Sequence, residues 1–287
     1  MRASHTLLFG FVLLYALILS CRKDSKEAGS PQDSLGTLNG CLPTSDSRSV
    51  FGEQEIIEYS YDVKGALKQI EIYIEPRKTL VERKEMKYTD TGLLSEDTWT
   101  TNINQFGNAS RFLIKLLYNN GSKQAENAEF YELTGSSAPQ LLKKYTMVRN
   151  GNVLQKIVEE TPLVSGDIEY TYNFEYTPEG NVSRMVVTPT GNHTPFRYEF
   201  GKYDTNPTSV AHIPGAMFIN LPITNVLTWA TALSKNNPGS VNAIEAKFTI
   251  DMAYTYNEKG FPVSREDDVA ASRGKYIESH ILGYECK

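Results

Sequence analysis

Chemistry has few places to start in this chain. Outside the first twenty residues the histidines are His193, His212 and His280, far apart and without the His-x-His or His-Glu-x-x-His spacing that brings two imidazoles to one metal. No Gly-x-Ser-x-Gly elbow and no phosphate-cradling glycine loop occurs, so no catalytic residue, metal or cofactor is expected. Carboxylates are plentiful, as in Glu159-Glu160 and Glu266-Asp267-Asp268, and two at the right separation would serve glycoside hydrolysis. They read instead as solvated loop charge. Asp62, Asp90 and Asn257 resemble cation ligands, but each sits in a turn that explains it. Trp99, Tyr73 and Trp229 could stack on a glycan or contact a partner protein; the competing reading is core or cross-strand packing, which is preferred.

The elements that carry these residues are written as a repeat. Tyr59-Ser60-Tyr61-Asp62-Val63-Lys64-Gly65-Ala66-Leu67 sets alternate aromatics before a polar turn, a glycine and an apolar run. Copies stand at Lys87–Leu94, Leu117–Gly121, Val148–Val153, Phe174–Val182 and Tyr254–Pro262, and the turn glycines Gly65, Gly92, Gly121, Gly151 and Gly180 follow at intervals of 27, 29, 30 and 29. Tyrosines two apart share one face of a strand, Asp or Asn opens a turn, and glycine takes the φ > 0 position. Each period therefore holds two strands and two connections. The period fails between Gly180 and Gly260, where residues 208–241 read as an insertion. Within it Val226, Trp229, Ala230 and Leu233 follow helical spacing, with Thr224 or Asn225 as N-cap and Pro238 beyond the end.

The expected fold is all-β: an antiparallel meander of hairpin repeats forming one large curved sheet, a half-barrel or roll, with one short covering helix. Strands are expected from Glu55 onward, the later ones at Ile244–Tyr256, Phe261–Asp267 and Tyr276–Glu285. In Phe248, Ile250, Met252, Tyr254 and Tyr256 the apolar face is unbroken, with Thr249, Asp251 and Thr255 opposing it.

The motif Tyr-x-Tyr-Asp-x-x-Gly-x-Leu at Tyr59 to Leu67 resembles that of YD-repeat proteins. Together with Tyr203-Asp204-Thr205-Asn206-Pro207, it makes the chain similar to lipoproteins of unknown function from Bacteroides-type bacteria. The resemblance spans roughly Gly40 to the C-terminus. It brings across no catalytic residue.

Residues 1–20 form a secretory leader, with Arg2 as its positive region and Leu7 to Leu19 as its apolar stretch, too short for a comfortable membrane span. Ile18-Leu19-Ser20-Cys21 resembles the lipobox of bacterial lipoproteins, which implies acylation of Cys21; simple secretion is the alternative. Residues 21–39 are too polar to bury a core and read as a flexible tether, leaving 40–287 as one β domain. Cys41 and Cys286 remain, one at each end of that domain, and are expected to pair in an oxidising compartment, unless they are two unrelated buried thiols.

The net charge of −5 contains no basic concentration able to grip a phosphate backbone, so nucleic acid is not an expected partner. The expected location is the outer membrane, lipid-anchored, facing the surface or the periplasm. The expected role is non-enzymatic display of a β-sheet binding or scaffold surface to a glycan or envelope protein. The alternative is a glycan-binding or glycan-hydrolysing accessory that uses the concave face of the sheet.

Overall fold

The computed structural model describes residues 41–50, 52–101, 111–119, 121–135, 138–162, 169–206, 216–221, 226–272 and 274–286. The leader, the tether, Cys21, His212 and the expected helix cap at Thr224 or Asn225 lie outside them. The strands of the first half are β1 (Cys41–Val50), β2 (Glu53–Tyr61), β3 (Leu67–Ile74), β4 (Thr79–Tyr88), β5 (Leu94–Thr101), β6 (Arg111–Tyr118), β7 (Ala125–Glu132) and β8 (Gln140–Asn150). The second half supplies β9 (Val153–Glu160), β10 (Tyr170–Tyr176), β11 (Val182–Pro189), β12 (Phe196–Gly201), β13 (Ser240–Ala243), β14 (Phe248–Tyr256), β15 (Pro262–Ala271) and β16 (Gly274–Cys286). Between β12 and β13 come a 3-10 turn (Ala216–Asn220) and helix α1 (Val226–Leu233).

Each strand pairs antiparallel with its neighbours in sequence, and β1 pairs with β16, so the sheet closes into a barrel. An open half-barrel or roll is therefore corrected to a closed one. The strand that decides this is β1, whose run Thr44-Ser45-Asp46-Ser47-Arg48-Ser49 has none of the apolar residues that alternate along strands such as β2, β6 and β14. Its pairing to β2 on one side and β16 on the other leaves no free sheet edge. A second correction falls at Ile244: the short strand β13 precedes it, and residues 244–247 form a turn before β14.

The turns that open at Asp62, Thr89, Thr177 and Asn257 share one construction. Asp62 N–H donates to the Ala66 carbonyl at 2.8 Å, and the Asp62 Oδ1 accepts from the Lys64 and Ala66 amides. Asn257 does the same for Lys259 and Phe261. In the second copy it is Thr89, rather than Asp90, whose side chain accepts from the residue after the glycine. Gly65, at φ 84°, and Gly260, at φ 80°, hold the left-handed position that a side chain would strain.

In four copies the tyrosine before the turn ties its hairpin to the one before. Tyr88 donates its hydroxyl to the Leu67 carbonyl at 2.7 Å, Tyr118 to Leu94 at 2.7 Å, Tyr176 to Leu154 at 2.6 Å and Tyr203 to Val182 at 2.5 Å. A repeat that lost this tyrosine would keep its turn and lose a link across the looser connection. Tyr88→Phe should therefore cost about 1 kcal/mol, read as a lower urea midpoint. Tyr73→Phe, on the outer face, serves as the control and should cost less; equal losses would show that the link carries nothing.

Alternation divides the sheet into two unlike faces. In β14, Ile250 and Met252 are buried, Phe248, Tyr254 and Tyr256 are partly so, and Thr249, Asp251, Ala253 and Thr255 are exposed. The same division around the barrel gathers apolar side chains of nearly every strand into one core, in which Trp99, Phe112 and Phe130 pack across β5, β6 and β7 at centroid separations of 5.1 and 5.2 Å. The outer face carries cross-strand ion pairs between register partners: Arg83–Glu71 at 2.6 Å, Lys87–Glu96 at 2.9 Å and Arg184–Glu175 at 3.3 Å.

A sixteen-strand barrel is wide enough to hold a channel unless something fills it. The insertion does so. Helix α1 buries the consecutive residues Leu227, Thr228, Trp229, Ala230 and Thr231, which occupy all sides of the helix, and Met217, Phe218 and Ile219 beside it are buried too. Trp229 meets Phe218 edge to face at 6.4 Å. The helix forms where it was expected, and of an open end or the inner face of the sheet it covers the inner face, where closure of the barrel encloses it. The inward-facing Lys84 of β4 donates to the Ile219 carbonyl, and Ser234 accepts from the Val182 amide at 2.9 Å, so the plug is held on two sides.

Candidate functional site

The largest charged part of the apolar interior is one arc, where strands β15, β16, β1, β2, β4 and β5 turn charged side chains inward. Arg265 and Asp267 are two apart on β15, Glu278 and His280 on β16, and Asp46 and Arg48 on β1, so the period of a strand sends each pair to the same side. All six are at most 3 % exposed. Arg265 pairs with Asp267 at 2.8 Å and places Nη2 2.6 Å from His280 Nε2. His280 Nδ1 lies 3.1 Å from Asp46 Oδ1, and Nε2 lies 3.3 Å from Glu278 Oε1. Arg48 pairs with Glu278 at 2.8 Å and approaches Glu55 of β2 at 3.8 Å. The network thus crosses the β1–β16 seam from the inside.

Further along the arc, Glu82 and Lys84 of β4 stand beside Asp97 and Trp99 of β5, with Lys84 Nζ 5.2 Å from the Trp99 ring centre. Asp97 is 1 % exposed, and among the described residues neither carboxylate oxygen has a hydrogen-bond partner. Burial lifts its pKa to about 7 against the pull of Lys84. Burial raises Glu82 as well, and it raises Asp267 in spite of Arg265. For His280, burial and the Arg265 cation disfavour the charged ring, but the Asp46 and Glu278 carboxylates outweigh them and the pKa rises. Burial would raise Glu278 too, yet His280 and the two arginines bring it below the ordinary carboxylate value.

On β8 to β10 a smaller polar group stands apart. Glu159 accepts from Lys143 at 2.6 Å and from the Tyr172 hydroxyl at 3.1 Å.

Several of these residues were not legible as a site. Asp267 and Glu159 are not loop charge: each lies on a strand, and in both acidic runs the neighbour, Glu266 or Glu160, takes the exposed side. The signal that would have found them is the period of two, since adjacent charges in a strand cannot both face water. Asp46 and Arg48 carry no such signal, because nothing apolar alternates with them to mark residues 44–49 as a strand. Of the aromatics weighed as binding residues, Trp99 and Trp229 are at most 5 % exposed and present no face at the outer surface. Tyr73 lies on the outer face, its hydroxyl donating to Glu71 at 3.1 Å and its ring under Lys78. His193 is exposed, far from His280 in the sheet. The concave side of the sheet, where a glycan site was weighed, is the packed interior. Among the described residues no group of three or more His, Cys, Asp or Glu is arranged to hold a metal ion.

No protein-family model matches the chain, and no curated protein matches it. Solved structures do. A porin-like protein from Bacteroides uniformis superposes with a TM-score of 0.54 at 12% identity, over 85% of this chain and 96% of that one. A porin-like protein from Bacteroides vulgatus gives 0.51 at 11% identity, over 85% and 98%. The likeness is one of fold. The distribution of side chains in this barrel is the reverse of a membrane pore's: a transmembrane barrel turns an apolar band outward and a polar lumen inward, whereas here the apolar core is inside and the ion pairs are outside.

Proposed function

We propose that this is a cell-envelope lipoprotein whose barrel stands in water as a filled, non-conducting and non-catalytic scaffold, displaying its charged outer face to a protein or glycan of the envelope. One observation carries the reading: alternation around the barrel sends apolar residues in and paired charges out, and the insertion fills the middle. Lipid would desolvate Arg83, Glu71, Lys87 and Glu96, which is costly for paired as well as single charges. Attachment would then fall to an acylated Cys21 on the far side of the 21–39 tether, at the outer membrane. The pairing of Cys41 opposite Cys286 in the β1–β16 register supports a disulfide that locks the seam from its end.

The test uses the whole chain in its own envelope. Cys21→Ala should move the protein from the membrane fraction to the aqueous one without detergent, and the purified wild type should produce no conductance steps in a planar bilayer. The non-reduced protein should yield joined Cys41 and Cys286 peptides by mass spectrometry. A Cys21→Ala variant that still needs detergent, or stable conductance steps from the wild type, contradicts the reading; free alkylation of both late cysteines removes the disulfide alone.

A further inference from the structure

Charge along the inner arc does not balance. Five carboxyl groups (Asp46, Glu82, Asp97, Asp267 and Glu278) are at most 9 % exposed, and the cations that face them are Arg48, Arg265 and the half-buried Lys84. That is an excess of two negative charges inside an apolar barrel, or three when half-buried Glu55 is counted. The other titratable groups that feel the charge of the arc are tyrosines: Tyr254 with Arg265, Tyr276 with Glu278, Tyr284 with Asp46 and Tyr88 with Asp97. Their hydroxyls contribute no cation. An uncompensated charge in such surroundings is neutralised by a proton sooner than it is tolerated.

Geometry shows where the protons go. Asp97 has two unpartnered oxygens and no arginine within pairing distance, so it is held most cheaply as the neutral acid. His280 has two arrangements available. As a neutral ring with its proton on Nδ1 it donates to Asp46 and accepts from Arg265; as an imidazolium it donates to Asp46 and, through Nε2, to Glu278, while Arg265 keeps Asp267. The second arrangement joins β16 to β1 by charge as well as by hydrogen bond.

We propose that the barrel interior is a proton-linked clasp, in which Asp97 and His280 take up protons in place of missing counter-ions, so that mild acid tightens the β1–β16 seam and base loosens it. The sign follows from linkage. A group held protonated by the fold stabilises it fully below the unfolded pKa and loses that contribution as pH rises through the folded one. For Asp97 the loss spans the interval from the ordinary Asp value of 3.8 to about 7; for His280 it begins at 6.5 and continues above. Glu278 acts oppositely, but only as pH falls through its lowered value, below 4.5. Stability should therefore peak in mild acid.

The test is urea unfolding of the whole mature chain between pH 5 and pH 9, together with Asp97→Asn, which should fold because it replaces a neutral acid with a neutral amide. For the wild type the folding equilibrium constant should fall by about 10-fold per pH unit between pH 5 and about 7, where folded Asp97 holds the proton that the unfolded chain has lost, and His280 should add to the fall above pH 6.5. Asp97→Asn should be more stable than the wild type at pH 8, and between pH 5 and about 7 its dependence on pH should be shallower by about 10-fold per unit. Hydrogen exchange of β1 and β16 amides, corrected for intrinsic pH dependence, should report seam opening that grows with pH and persists in Asp97→Asn through His280. A flat or opposite pH profile, an Asp97→Asn variant as steep as the wild type, or seam amides whose opening ignores pH would overturn the proposal.

Discussion

Replacing Arg265 with methionine should cost the barrel about 3–5 kcal/mol, a large share of the 5–15 kcal/mol that holds a typical domain folded. The side chain is 1 % exposed, pairs with Asp267 at 2.8 Å and reaches His280 at 2.6 Å. Methionine fills much of the same volume, so packing loss is minor and the cost comes from stranding Asp267 in an interior already short of positive charge. Two consequences separate this cause from ordinary misfit. The loss should shrink at pH 5, where Asp267 is more readily neutralised, and the double change Arg265→Met with Asp267→Leu should recover most of it, because removing a whole buried pair is close to neutral. Urea midpoints of the single and double variants at pH 5 and pH 8 check both points. A single variant within 1 kcal/mol of the wild type, or a double variant no better than the single, would show that the network does not hold the seam.

Trp229→Ala should cost a similar amount, about 3–5 kcal/mol, for a different reason. The indole is fully buried, packed edge to face on Phe218 within a helix enclosed on all sides. Truncation leaves a void in the part of the barrel that the strands alone cannot fill. The variant should bind a hydrophobic dye that the wild type excludes, and its thermal midpoint should drop. If the helix merely covered an exposed face, the loss would stay nearer 1 kcal/mol and dye binding would not change.

How far the sequence foretells this molecule depends on what each residue signals locally. The hairpins could be read because Asp62, Gly65 and their counterparts act within a few residues of themselves, through side-chain caps on turn amides and a left-handed glycine. Helix α1 could be read from Val226, Trp229, Ala230 and Leu233, with Trp229 on its covered side, but not its enclosure on every side, which depends on strands distant in sequence. Closure could not be read: the middle of β1, from Thr44 to Ser49, holds only serines, a threonine, Asp46 and Arg48, and its place in the sheet is set by partners at the other end of the chain, such as His280. For the same reason the inner arc was invisible as a cluster. Its members come from six strands, and only the register brings Asp46 to His280 and Arg265. The acidic runs at Glu159 and Asp267 did carry a signal, the obligatory alternation of a strand, which composition alone hides.

The central claim is that the barrel is filled and apolar within, with water rather than lipid outside. Tryptophan emission tests it most directly, because the chain has two tryptophans, Trp99 and Trp229, and both lie in the core. Purified without detergent and then mixed with vesicles, the protein should show blue-shifted emission that neither iodide in the water nor brominated acyl chains in the bilayer quench. Quenching by iodide would mean an interior open to solvent, and quenching by the brominated chains would mean a barrel that faces lipid; either result contradicts the account.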